Sequence, residues 1–183
     1  MSLLQNARAY FRARRIKKQL EKQSSFLKKR VNINSAKNIG ILFDATRLDT
    51  RQAALQYADQ LKKQRKKVKL LGYFDVKQSK DASHAFPFFD KKHLDWYFIP
   101  RSKEIDFFLQ QNFDIFVFLN PISSHYSEYI AALTKASLKV GPISSELDCY
   151  DLMLDVKNKA TLTDFIKQLQ LVLQKTNQEH EAA

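Results

Sequence analysis

Two groups of residues in this sequence have the chemistry of a binding site, and the first is a set of polar side chains that follow apolar runs. Asp44 and Thr46 close the run IGILFDAT, for example, and Arg47 follows it. Such groups could bind a small anionic ligand, because guanidinium and backbone N–H groups attract anions. The alternative is that they only cap strands and helices. The set comprises Asp44, Thr46, Arg47, Asp75, Asn120, Ser123, Ser124, His125, Ser144, Ser145 and Asp155.

The second group is cationic, and its chemistry is that of phosphate recognition. Residues 1–31 hold ten Lys and Arg against one acidic residue, a net charge of +9, whereas the rest, with 21 basic and 18 acidic residues, holds +3. A second basic run is KKQRKKVK at 62–69. Such asymmetry favours RNA or another polyanion as partner. The candidate contacts are Arg8, Arg12, Arg14, Arg15, Lys17, Lys18, Lys22, Lys28, Lys29, Arg30, Lys62, Lys63, Arg65, Lys66 and Lys67.

A helix is expected to carry the first basic segment. Residues 2–30 contain neither Gly nor Pro and are rich in strong helix formers. A narrow apolar stripe includes Ile16 and Leu20, and the cations occupy a broad arc away from it. We therefore predict that residues 1–31 form a basic amphipathic extension that projects about 40 Å from the domain if it is one helix. The run at 62–69 has a simpler explanation too, since cations complement a helix C-terminus.

The remainder of the chain is typical of an α/β domain. Apolar runs alternate with segments of helical periodicity, which predicts parallel strands joined by right-handed crossovers. The predicted strands are 39–46, 68–75, 113–120, 138–142 and 150–156. We expect a Rossmann-like or flavodoxin-like, mainly parallel sheet of about five strands with helices on both faces, over residues 38–177, and a disordered tail at 178–183. The polar set would then meet at the carboxyl ends of the strands, where such sheets bind ligands.

Several functions have no support in the sequence. The first loop after a strand, FDATRLDTRQ, lacks the glycines of a phosphate-binding loop. Four histidines lie without metal-ligand spacing, and the pair Ser124 and His125 is no catalytic triad. A Mg²⁺ site of Asp44, Asp75 and Asp155 would need a phosphate as co-ligand. The aromatic residues between 86 and 98 could stack on bases, but core packing is favoured. We expect no cofactor, no metal and a non-enzymatic protein.

The order of certain segments resembles a known family. NIGILFDAT, KKVKLLGY, FDIFVFLN, YIAALTKASLKVG and YDLMLDV, in that sequence, look like a family of uncharacterised α/β proteins from Bacteroidetes. The resemblance implies a bacterial, cytosolic protein without an established activity. FDIFVFLN and YIAALTKASLKVG are also similar to a unit in the amino-terminal half of heptosyltransferase-like glycosyltransferases, which implies a lone half-enzyme or a repurposed fold.

These observations leave three functional hypotheses. The first is a cytoplasmic, non-enzymatic protein whose cationic helix binds RNA, on the ribosome for example. The second is a Rossmann-like domain or enzyme that binds a phosphorylated or sugar-nucleotide ligand at the ends of its strands. The third is peripheral association of the amphipathic helix with a membrane surface. A transit peptide shares the Arg-rich composition of the first residues and is a fourth interpretation of that segment alone.

Overall fold

The computed structural model describes residues 3–22, 26–78, 83–144, 149–156 and 160–181. Within these ranges it contains five α-helices, six strands and a short 3₁₀-helix at Lys91–His93. The helices are α1 (Leu3–Lys22), α2 (Leu48–Lys63), α3 (Lys103–Leu109), α4 (His125–Leu133) and α5 (Leu162–Glu181). The strands are β1 (Asn38–Asp44), β2 (Lys67–Phe74), β3 (Phe88–Asp90), β4 (Asn112–Leu119), β5 (Lys135–Pro142) and β6 (Leu152–Leu154).

All six described strands belong to one parallel sheet of order β3-β2-β1-β4-β5-β6. The predicted α/β class with a parallel sheet is confirmed, with one strand more than the five expected. The additional strand is β3, which lies within the aromatic-rich segment. Since the chain order reverses direction between β1 and β4, the carboxyl ends of these two strands form the switch point at which such sheets bind ligands.

Helices cover both faces of the sheet. On one face, α2 and α5 contribute Ala58, Leu61 and Phe165 to a core with side chains of β1 and β4. On the other face, α3 and α4 pack Phe108 and Ile130 against the sheet. Strand β1 is buried from Ile39 to Phe43 because it has a strand on either side and helices above and below. The strand ends form two further surfaces of the sheet, which we name the amino edge, where the strands begin, and the carboxyl edge, where they end.

Helix α1 differs from the projecting rod that the sequence predicts. It ends at Lys22, and residues 26–30 are not helical. It packs against α4, and Ile16 from its apolar stripe is buried in the core of that face. At the other terminus, α5 extends to Glu181, so residues 178–181 of the expected disordered tail are helical. None of the helices in the described ranges is long and apolar enough to span a membrane.

Candidate functional site

Three arginines of α1 contact a loop of the domain, residues 95–98. The Arg12 side chain is buried, and its Nη1 donates a hydrogen bond to the carbonyl oxygen of Tyr97 at 3.2 Å. Arg15 forms an ion pair of 3.5 Å with Asp95. The Arg8 guanidinium lies over the ring of Trp96, 4.1 Å from its centroid. These contacts explain why α1 lies on the domain, and they correct the expectation that all cations of α1 face solvent.

Asp95 holds that loop in place. Its Oδ1 accepts hydrogen bonds from the backbone N–H groups of Tyr97 (2.9 Å) and Ile99 (3.1 Å), and its Oδ2 accepts one from Arg101 (3.1 Å). Phe98 takes the left-handed conformation, with φ of 59°, which is costly for a bulky side chain. A fixed loop thus presents Trp96 and Phe98 outward, with exposed fractions of 66% and 38%. This part of the aromatic segment is not core, whereas Phe86 and Phe89 are.

The other N-terminal cations divide into two groups. Arg14, Lys17 and Lys18 are exposed on α1, and the side chain of Lys22 lies outside the described residues. Beyond α1, Lys28 forms an ion pair with Asp151, while Lys29 and Arg30 have exposed side chains. The backbone N–H of Lys29 donates to the Ser137 hydroxyl at 3.2 Å, which places residues 28–30 beside the start of β5. They therefore lie at the amino edge of the sheet.

The second basic run lies at the same edge, between the end of α2 and the start of β2. Lys62 pairs with Asp59 at 3.0 Å. Lys66 has a structural role, because its Nζ donates to the carbonyl oxygen of Ala36 at 2.8 Å; burial lowers its pKa. Two strands, β1 and β4, separate the starts of β2 and β5, so the two basic segments are about 15 Å apart across the sheet. Lys63, Arg65 and Lys67 are exposed.

Arg65 occupies an unfavourable backbone conformation. It follows the last residues of α2 with φ of 62°. Its N–H donates to the carbonyl oxygen of Lys62 at 2.9 Å, and the N–H of Lys66 donates to that of Leu61 at 3.1 Å. These two bonds define a Schellman turn, in which the left-handed position is usually glycine. The chain therefore holds an exposed cation where glycine is more stable.

The carboxylates at the amino edge already have partners. Asp114 Oδ2 accepts hydrogen bonds from the N–H groups of Lys37 (2.7 Å) and Asn38 (2.8 Å), which anchors the start of β1. Asp151 accepts from Lys28 and from the N–H of Lys139 (2.9 Å). We name five residues the basic edge; none of them forms an ion pair within the described part of the chain. They are Lys29, Arg30, Lys63, Arg65 and Lys67.

Polar side chains at the carboxyl edge bond mainly to one another. Asp44 accepts from the N–H of Thr46 (2.8 Å), and the Thr46 hydroxyl accepts from the N–H of Asp75 (2.9 Å). These bonds tie the ends of β1 and β2 together. Arg47 is bound in two hydrogen bonds, of 2.7 and 3.0 Å, by Asp49, and this contact lowers the pKa of Asp49 to about 2. The guanidinium expected to bind an anion thus already has a carboxylate partner.

The loop after β4 leads to a buried carboxylate that the sequence did not indicate. Asn120 accepts from the N–H of Ile122 (3.0 Å), and Ser124 caps the start of α4. Ser123 and Ser144 donate to Glu128 Oε1 at 3.0 and 2.6 Å. Glu128 is only 3% exposed. The signal available in the sequence is weak: one carboxylate within the otherwise apolar helix YSEYIAAL.

Two adjoining cavities open at this edge. The switch-point cavity, of about 620 Å³, is lined by six of the predicted residues: Asp44, Arg47, Asp75, Asn120, Ser123 and Ser124. The aromatic cavity, of about 870 Å³, has Arg8, Trp96, Phe98, Tyr126 and Glu128 in its wall. His125 also lines the aromatic cavity, and Ser144 bonds to Glu128 in its wall. Asp155 is exposed after β6, and Ser145 lies outside the described residues. No group of three metal-ligating side chains occurs among the residues that the structure describes.

The sheet order, the switch point and the polar residues that meet there define a Rossmann-like α/β domain without a glycine-rich phosphate loop. The chain belongs to the family of unknown function DUF6913, whose sequence profile matches residues 8–175. The match includes most of α1. Comparison with curated proteins gives no match.

Proposed function

We propose that this protein is a non-enzymatic, cytoplasmic RNA-binding protein and that the basic edge contacts the phosphates. The observation that carries the proposal is the cluster of exposed cations without carboxylate partners at one end of the sheet, including Arg65 in a conformation that favours glycine. Backbone strain that is retained in a fold often marks a functional position. A bacterial source rests on the resemblance described above, whereas ribosomal RNA is the first partner to test because the excess positive charge favours a polyanion.

The proposal moves the RNA contacts from the first arginines of α1 to the amino edge. Arg8, Arg12 and Arg15 are engaged with the 95–98 loop, so they have less freedom to contact phosphate. Helix-terminus capping does not explain the whole basic edge, because the Schellman turn already satisfies the carbonyl oxygens of Leu61 and Lys62 and because Lys29 and Arg30 lie beside β5, away from the end of α2. Each Lys or Arg that contacts a phosphate releases condensed counterions, so binding should weaken steeply with salt and show little sequence preference.

An anionic membrane surface is a less favoured partner than RNA. Binding of α1 to a bilayer would require its apolar face, but Ile16 on that face is buried against the domain and Phe11 lies 5.4 Å from the ring of Tyr97. Of the aromatic residues of α1, Tyr10 is 63% and Phe11 43% exposed. The cations at the amino edge, in contrast, are accessible without any change in the packing of α1.

The test is RNA affinity measured by fluorescence anisotropy over a range of salt concentrations. The variant Lys63→Gln/Arg65→Gln/Lys67→Gln removes three cations of the basic edge. It should lower the slope of log K against log salt by about 2 with single-stranded RNA. A control variant removes three exposed lysines far from that edge, Lys77, Lys103 and Lys167, and should leave the slope unchanged. The proposal would be contradicted if the slope decreased equally in both variants, or if the wild type did not bind RNA at low salt.

A further inference from the structure

We infer that the aromatic cavity binds a small polyhydroxylated ligand, and that Glu128 Oε2 accepts a hydrogen bond from one of its hydroxyl groups. This site is separate from the basic edge, since it lies at the opposite end of the sheet. Its wall contains Arg8 from α1, Trp96 and Phe98 from the fixed loop, and Glu128 from α4. A cavity of about 870 Å³ is within the size range of small-molecule sites.

Glu128 supplies the first argument. A carboxylate that is 97% buried requires hydrogen-bond donors for both oxygens, because desolvation of an unpaired charge is costly. Ser123 and Ser144 satisfy Oε1, but Oε2 is buried and accepts no hydrogen bond from the described residues. Such a group in a cavity wall indicates that a donor is supplied from elsewhere.

Arg8 supplies the second argument. Its Nε is buried and has no acceptor among the described residues, although the guanidinium lies over Trp96. Two residues of the cavity wall therefore each have an unpaired polar atom, an acceptor on Glu128 and a donor on Arg8, and the buried Tyr150 hydroxyl, which interacts with Glu128, is a third unpaired group. A hydroxyl group both donates and accepts hydrogen bonds, so a ring with neighbouring hydroxyls can satisfy both atoms.

The rest of the wall fits such a ring. The phenol rings of Tyr73 and Tyr126 lie 4.0 Å apart at its base, and the exposed Trp96 provides a flat apolar surface. The neighbouring carboxylates are already bonded: Asp75 accepts from the Tyr73 hydroxyl at 3.0 Å, and Asp95 accepts from its own loop. Glu128 differs from these two carboxylates in that it is buried and one of its oxygens accepts no hydrogen bond from the described residues.

Neighbouring hydroxyls occur both in free sugars and in the ribose of nucleosides, and the experiment separates these sources. Trp96 is the one tryptophan of the sequence, so its fluorescence reports directly on this cavity. Titrations would use D-glucose, D-ribose, adenosine and uridine, with 2′-deoxyadenosine and 2′-deoxyuridine as matched probes. We expect the Trp96 fluorescence to change saturably with either the free sugars or the nucleosides. Analogues that lack a hydroxyl should bind about tenfold more weakly.

Variants then test the assigned residue. Glu128→Gln keeps the shape but removes the charge and one acceptor, and it should weaken binding about tenfold or more. Glu104→Gln, an exposed carboxylate on α3, is the matched control and should bind as the wild type does. Because Glu128→Gln could perturb folding, Ile122→Phe provides a second test: this 73% exposed residue of the cavity wall can gain bulk without disturbing the core.

Ile122→Phe should reduce binding while the melting temperature stays unchanged. The inference is overturned if no probe gives a saturable signal at millimolar concentration. It is equally overturned if deoxy analogues bind as tightly, if a folded Glu128→Gln variant binds as tightly as the wild type, or if Ile122→Phe does not weaken binding. RNA binding at the basic edge can fail or succeed independently of each of these results.

Discussion

Replacing Arg65 by glycine should stabilise the protein and at the same time weaken RNA binding. Arg65 has φ of 62° in the Schellman turn that ends α2, and its side chain is exposed. A left-handed conformation costs an L-residue about 1–2 kcal/mol. Glycine removes that cost but loses about 0.5–1 kcal/mol more backbone entropy on folding. The net gain in the free energy of unfolding is therefore about 0.5–1 kcal/mol, or roughly 1–4 °C in melting temperature for a chain of this size.

Thermal unfolding followed by circular dichroism measures the stability, and anisotropy titrations at several salt concentrations measure the RNA contact. Loss of one phosphate contact should lower the salt slope by about 0.7 for single-stranded RNA. Two control variants separate the effects. Arg65→Ala removes the charge and keeps the strain, whereas Arg65→Lys keeps both. If Arg65→Gly melts no higher than the wild type, the strain argument is wrong; if its salt slope is unchanged, Arg65 is not an RNA contact.

Three further predictions concern the elements that support the two sites. Asp114→Ala removes a carboxylate that accepts two backbone hydrogen bonds, of 2.7 and 2.8 Å, at the start of β1; urea unfolding should show a loss of about 2 kcal/mol, and an unchanged midpoint would contradict it. Gly141→Ala would place Cβ 2.4 Å from the ring of Tyr150 and should cost about 1–3 kcal/mol in thermal unfolding. Burial raises the pKa of Asp90, but the N–H groups of Gln78 and Lys92, together with the charges of His93 and Lys92, outweigh burial and lower the pKa below its ordinary value. The ionised Asp90 side chain thus stabilises the folded protein fully at neutral pH, and this stabilisation is lost below about pH 4. In the Asp90→Asn variant, the free energy of unfolding should fall less steeply as the pH is lowered through this range.

The sheet could be predicted because its signals are local. The runs that became β1, β2 and β4 are apolar on both faces, as central parallel strands must be, and their ends lie within two residues of the predicted ones. Strand β3 could not be predicted, because its three residues are too few to show the alternation of apolar and polar positions that indicates a strand. The polar residues at the carboxyl edge were predictable for the same reason as the strands: in a parallel sheet, strand ends determine which side chains meet.

The position of the positive charge could not be predicted, since it depends on contacts between distant parts of the chain. Arg12 is buried because the carbonyl oxygen of Tyr97, 85 residues away in the sequence, accepts its hydrogen bond. A count of charges in residues 1–31 treats Arg12 and Arg30 alike, although one supports a loop and the other faces solvent. Glu128 could not be predicted for the same reason, because Ser144, which donates a hydrogen bond to it, lies beyond the next strand.

The basic N-terminal segment takes part in both ends of the domain, and this arrangement explains its composition. Its first arginines hold the 95–98 loop at the carboxyl edge, where Arg8 closes the wall of the aromatic cavity. Its last cations, Lys29 and Arg30, lie at the amino edge. The cations of this segment therefore have different surroundings at the two ends of the sheet. Arg8, Arg12 and Arg15 contact the 95–98 loop at the first end, whereas Lys29 and Arg30 form no ion pair among the described residues at the second.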